Sequence, residues 1–93
     1  MHALAVKCNF LELRCMISNK DSKYLKALGR NLRRIREANK ISQEALSGKM
    51  DTSPSQVGRI ERGEINPTVS TLKSIADSLN IEVKDLFNFN PDS

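Results

Sequence analysis

Ser42–Gly63 reads SQEALSGKMDTSPSQVGRIERG and contains two helix starts in close succession. Ser42 suits a helix N-cap, where its hydroxyl accepts from an amide of the first turn. Leu46 and Met50 then repeat at a step of four, which marks one helical face. Ala45 stands at the third position, so this cap lacks the carboxamide half of a capping box. Gly48 costs about 1 kcal/mol against Ala inside a helix, so this first short helix depends on packing. Asp51-Thr52 forms the turn. Ser53 opens a complete capping box with Gln56 at N3, and Pro54 fills N1, where a missing N–H costs nothing. The second helix is expected to end at Arg62, with Gly63 in the left-handed position beyond it.

Two short helices joined by a turn of three to four residues form a helix-turn-helix unit. The second helix divides into two faces. Val57, Ile60 and Glu61 lie inward at steps of three and one. Ser55, Arg59 and Arg62 lie outward at steps of four and three. The outward stripe is polar, compact and rich in hydrogen-bonding groups. A helix presenting such a stripe fits the major groove of DNA, about 12 Å wide.

The same reading extends along the chain. Leu25, Leu28, Leu32 and Ile35 form an apolar stripe at helical steps. Asp21 or Ser22 is the expected N-cap, and this helix should end near Asn39-Lys40. After the central motif, Asn66-Pro67-Thr68 restarts the chain. Val69, Leu72, Ile75, Ala76 and Leu79 form the next stripe, with Asn80 suited to the position beyond the helix. Val83, Leu86 and Phe87 indicate a last short helix. The expected architecture is all-α, with five helices in one domain over residues 21–88 and the motif at about 42–63. Asn88–Ser93 should fray, with 89–93 forming a C-terminal tail. Residues 1–20 carry no clear period. They read as a poorly ordered arm, with an upstream extension or an extra strand as alternatives for the first 15 residues, and Met16 is a plausible true start.

The 93 residues carry a formal net charge of +4, unevenly spread. From Ser22 to Arg62 ten Lys/Arg stand against four Asp/Glu, and from Gly63 to Ser93 two stand against five. A basic half beside an acidic half fits a polyanion-binding face, or else an ordinary solvated helix surface. Cys8 and Cys15 have neither CxxC nor zinc-ligand spacing, and His2 is the sole histidine. Both cysteines read as free thiols in a reducing compartment. No apolar run approaches the ~20 residues of a membrane span, and no signal-peptide core is present. The cytoplasm is therefore the expected location. The sequence offers no Cys/His pair, no Ser/His/Asp set, no metal-ligand cluster and no Gly-rich phosphate loop. No enzymatic activity, metal or cofactor is expected.

Taken together, Ser42-Gln43-Glu44, Arg59-Ile60-Glu61-Arg62-Gly63 and Asn66-Pro67 resemble the phage-repressor-like (Cro/C1, or XRE) helix-turn-helix family. The resemblance covers about Leu25 to Phe87. It implies the lambda-repressor-like five-helix fold and double-stranded DNA as partner. By the same resemblance, Gln43 braces the phosphate backbone and the first recognition residues. Ser53, Pro54, Ser55, Gln56 and Arg59 occupy positions facing base edges or nearby phosphates. Pro54 replaces a glutamine found in relatives, which shifts base reading to Ser55, Gln56 and Arg59. Arg59 either reads guanine O6 and N7 or holds a phosphate. Arg62 and the loop at Asn66 correspond to backbone-contacting elements, although Asn66–Thr68 also reads as a simple turn and cap. The resemblance further implies a buried ion pair between Arg36 and Glu61. Lys40 and Asp51 stand where relatives carry glycine.

Relatives bind pseudo-palindromic operators as dimers. The candidate dimer residues here are Leu79, Ile81, Val83, Leu86 and Phe89, with Phe87 expected to close the protomer's core. A homodimeric transcriptional regulator follows, of the restriction-modification controller or small repressor type. An antitoxin-like protein that neutralises a partner toxin and autoregulates its operon is the alternative. RNA polymerase or a toxin would then be a further partner.

Overall fold

A computed structural model describes residues 19–90, with side chains from Asp21 onward. Among the described residues five helices follow one another: α1 (Asn19–Ala38), α2 (Gln43–Met50), α3 (Pro54–Glu61), α4 (Val69–Leu79) and α5 (Val83–Leu86). The described residues contain no strand. The arm expected over residues 1–20 lies outside the described residues, except for its last two, which belong to α1. Cys8, Cys15 and Met16 lie outside them as well. Neither Asp21 nor Ser22 caps α1. Both sit within it, because the helix begins at Asn19, ahead of the apolar stripe.

The helix starts are local chemistry. Ser42 accepts from the Ala45 amide, Ser53 from Gln56, and Thr68 from Thr71. Each side chain satisfies an amide that the helix itself leaves orphaned. Pro54 stands at the head of α3. The box expected there is present in its Ser53 half, the Gln56 side chain making no return bond to Ser53.

The helix ends share one device. Lys40, Asp51, Gly63 and Asn80 all take left-handed backbone angles, with φ of 58°, 59°, 73° and 62°. At each, two successive amides turn back to carbonyls of the last helical turn. Thr52 N donates to Ser47 O and Asp51 N to Gly48 O; Ile81 N donates to Ala76 O and Asn80 N to Asp77 O. This closes the orphan carbonyls. After α1 and α4 the next residue is Ile41 or Ile81, and each packs against the core.

The core is aliphatic. Leu28 and Leu32 of α1, Leu46 of α2, Val57 and Ile60 of α3, Leu72, Ile75, Ala76 and Leu79 of α4, and Leu86 of α5 form one buried cluster. α3 packs on α1 and α2, α4 on α2, and α5 on α4 and α1. Two polar devices reinforce this layering. Buried Asn31 of α1 donates to Leu86 O at 2.8 Å and Asp85 O at 3.2 Å, tying down the end of α5. Its own oxygen accepts from Arg34. At Gly29 the backbones of α1 and α3 touch: a Cβ there would lie 2.2 Å from Glu61 O and 2.5 Å from Ile60 O.

Several expectations are corrected here. Leu79 and Leu86, expected at a dimer interface, are 3% and 1% exposed because the protomer's own core consumes them. Ile81, Val83 and Phe89 are half-buried against that core. Phe87 and Phe89 exchange their expected roles. Phe87 stays exposed, whereas Phe89 packs beside Tyr24 with ring centroids 5.3 Å apart. Phe89 therefore belongs to the fold and not to a frayed tail. Val69 drops out of the α4 stripe at 77% exposure. It occupies the first position of the helix, beyond the end of the packed layer.

Candidate nucleic-acid interface

α3 is held from behind by charge as well as by packing. Glu61 is 7% exposed and would be costly to bury without partners. Arg36 supplies them: its Nε donates to Glu61 Oε2 at 2.5 Å and its Nη2 to Oε1 at 3.0 Å. A third nitrogen, Nη1, donates to Ile41 O at 2.8 Å, fixing the chain after α1. The hydrogen bond to Glu61, with its close negative charge, raises the Arg36 pKa further, against the burial that opposes it. Among the described residues no buried side-chain nitrogen or oxygen lacks a partner.

The pair continues toward the surface. Gln43, first residue of α2, donates from Nε2 to Glu61 Oε1 at 2.9 Å. Its amide lies over Gly58, where an added Cβ would be 3.6 Å from both its terminal atoms and 2.9 Å from Arg62 Nη1. Gln43 and Arg62 thus converge over the one α3 residue that leaves them space. Gln43 is half-buried, with its Nε2 engaged by Glu61.

On the outer side, Ser53, Pro54, Ser55, Arg59, Arg62 and Asn66 are all exposed. Ser53 and Ser55 hydroxyls lie 3.2 Å apart. Arg59 makes no hydrogen bond or ion pair among the described residues, although its charge reaches Glu64. Gln56 is half-buried at the edge of this face, beside a shallow depression lined by Met50, Thr52, Ser70, Thr71 and Ser74. Arg62 donates from Nε to Glu64 Oε2 at 2.6 Å. That bond first, and the field of Arg62 after it, hold the Glu64 carboxyl below the usual carboxylate range. Arg62 is raised in turn.

Sequence reasoning missed Glu64, Gly29, Gly58 and the Gln43–Glu61 bond. Gly29 carried one signal, a glycine inside a strong helical stripe, which often marks a close approach. The Gln43–Glu61 bond spans 18 residues, whereas Glu64 and Gly58 meet Arg62 two and four residues away through side-chain placement that periodicity does not reveal.

A helix-turn-helix family model, HTH_3, matches residues 32–86. The chain belongs to this family. The match takes in the last part of α1 and all of α2 to α5, so the paired interior and the exposed outer face both lie within it. An immunity repressor protein of Bacillus phage phi105 is 38% identical over 56 residues, 60% of this chain and 39% of that protein. This chain therefore spans well under half of the phage protein's length. The control protein C.SmaI of Serratia marcescens is 39% identical over 59 residues, covering 63% of this chain and 70% of that one. Among solved structures, the restriction-modification controller protein C.AhdI of Aeromonas hydrophila superimposes with a TM-score of 0.67 at 36% identity. That match covers 68% of this chain and 96% of the other. Among the described residues no helix is long and apolar enough to cross a membrane.

Proposed function

We propose that this family member is a transcriptional regulator that reads double-stranded DNA sequence-specifically as a homodimer. The observation that carries this is the division of α3. Its inner side is fully paired through Glu61, Arg36 and Gln43, while Ser55, Arg59 and Arg62 face solvent along one side. An immunity repressor, a control protein and a restriction-modification controller protein among its relatives support the same reading.

In this reading the outer face of α3 enters the major groove. Arg59 offers two parallel donors to guanine O6 and N7, and Ser55 and Gln56 reach neighbouring base edges. Gln43, Arg62, Ser53 and Asn66 bind backbone phosphates, which sets register without specifying sequence. Pro54 contributes shape and a fixed helix start. One α3 touches too few base pairs for a useful site, so a second copy is required. The C-terminal surface around exposed Phe87, with the outer parts of Ile81 and Val83, joins the two protomers, placing their α3 helices about 34 Å apart.

The test combines sedimentation with DNA titration across salt. Two protomers per bound site and an affinity that falls steeply with salt are expected. A one-to-one complex, or an affinity indifferent to salt, would contradict the proposal.

A further inference from the structure

The end of α3 differs from the ends of α1 and α4. There the residue after the left-handed one is an isoleucine that enters the core. After Gly63 it is Glu64, exposed, and its carboxylate turns back onto Arg62. Arg62 Nε donates to Glu64 Oε2 at 2.6 Å and Nη2 to Oε1 at 3.4 Å. Two carboxylate oxygens thus occupy one edge of the guanidinium. A phosphate would use such an edge in the same way, because guanidinium pairs with both anions through parallel N–H donors.

We propose that Glu64 is a built-in competitor of DNA phosphates for Arg62, a brake on backbone affinity carried by the loop that follows α3. The inference rests on the DNA-binding reading above. Both side chains are about half exposed, 58% for Arg62 and 49% for Glu64, so the pair opens without disturbing the core. Exposed pairs of this kind are weak, so a phosphate displaces the carboxylate at modest cost. Arg59 also draws on Glu64, which places the acid within the field of both outer arginines. The remaining edge of Arg62 lies over Gly58 beside Gln43, where a phosphate would meet both side chains once Glu64 lets go.

The test titrates a random-sequence duplex of about 20 base pairs into four proteins across a range of salt: wild type, Glu64→Gln, Arg62→Ala and the double variant. Melting temperatures are measured alongside. Glu64→Gln should raise affinity for random DNA about 1.5- to fivefold. The salt slope should stay near that of wild type, because Arg62 neutralises the same phosphate in both proteins once the carboxylate is displaced. In the Arg62→Ala background most of that gain should vanish. A loss of affinity in Glu64→Gln would mean that the acid orients Arg62 for DNA, and would overturn the proposal. An equal gain with and without Arg62 would also overturn it, since Glu64 would then act only as distant charge. If wild type binds with a steep salt dependence and Arg62→Ala binds equally well, Arg62 loses its phosphate role and the brake fails while DNA reading survives. If wild type shows no salt-dependent DNA binding, the underlying reading fails with it.

Discussion

The two faces of α3 are built on opposite principles. Inward, everything is used. Val57 and Ile60 are 1% exposed, Glu61 shares its carboxylate among Arg36 and Gln43, and the α1 backbone presses on the helix at Gly29. Outward, little is used. Among the described residues Arg59 makes no hydrogen bond or ion pair, Ser55 meets the Ser53 hydroxyl, and Arg62 pairs with a neighbouring acid at the surface. On the DNA-reading proposal, the contrast assigns stability and recognition to different atoms of one eight-residue helix and its cap, Arg62. Substitutions should therefore separate cleanly into those that move the melting temperature and those that move DNA affinity.

The largest effect is expected for Glu61→Ala. It leaves Arg36 buried without its anion, a change worth about 3–5 kcal/mol. Thermal or urea denaturation should show the loss. An unchanged melting temperature with vanished DNA binding would move Glu61 to the recognition face and break the comparison. Gly29→Ala comes next. Its Cβ would fall inside two carbonyl oxygens of α3, so a cost near or above the ~1–3 kcal/mol of ordinary overpacking is expected. A stability equal to wild type would show that α1 and α3 can part freely.

On the outer face, Arg59→Ala should weaken specific binding by about 1–3 kcal/mol and relax preference at one base pair. Its melting temperature should stay near wild type. Equal weakening on random DNA would make Arg59 a phosphate contact. The smallest effects belong to neither face. Lys40→Gly removes a left-handed backbone penalty and should stabilise by about 1 kcal/mol. Gly48→Ala meets nothing within 4 Å and should stabilise by about 0.5–1 kcal/mol. Both are read by denaturation. A destabilised Gly48→Ala would mean that α2 needs the glycine for more than space.

The helix starts at Ser42, Ser53 and Thr68 and the left-handed ends were legible because capping is settled within a few residues. The positions of Leu28, Leu32, Leu46, Val57, Ile60 and Ile75 were legible because burial repeats with the helix. Periodicity does not say where a stripe runs out of partners, which is why Val69 and Phe87 lie outside. Nor does it say whether an apolar residue serves the core or a second copy. Leu79 and Leu86 can serve once, and the protomer takes them. The start of α1 at Asn19 was hidden because Asn19 to Ser22 are polar and add nothing to the stripe. Asn31 reaches carbonyls 54 and 55 residues away, a pairing with no local signature. In the site, the polarity of Ser55, Arg59 and Arg62 was readable. The restraint of Gln43 by Glu61 and of Arg62 by Glu64 depends on how α2, α3 and the following loop meet.

The most direct measurement is selection of bound sequences from a random duplex pool, run in parallel on wild type and Arg59→Ala. The expected wild-type result is a pseudo-palindromic site with half-sites one helical turn apart. The variant should lose preference at one symmetric pair of positions and keep the rest. A wild-type pool without enrichment, or an enriched site that Arg59→Ala leaves unchanged, would contradict base reading by the exposed face of α3.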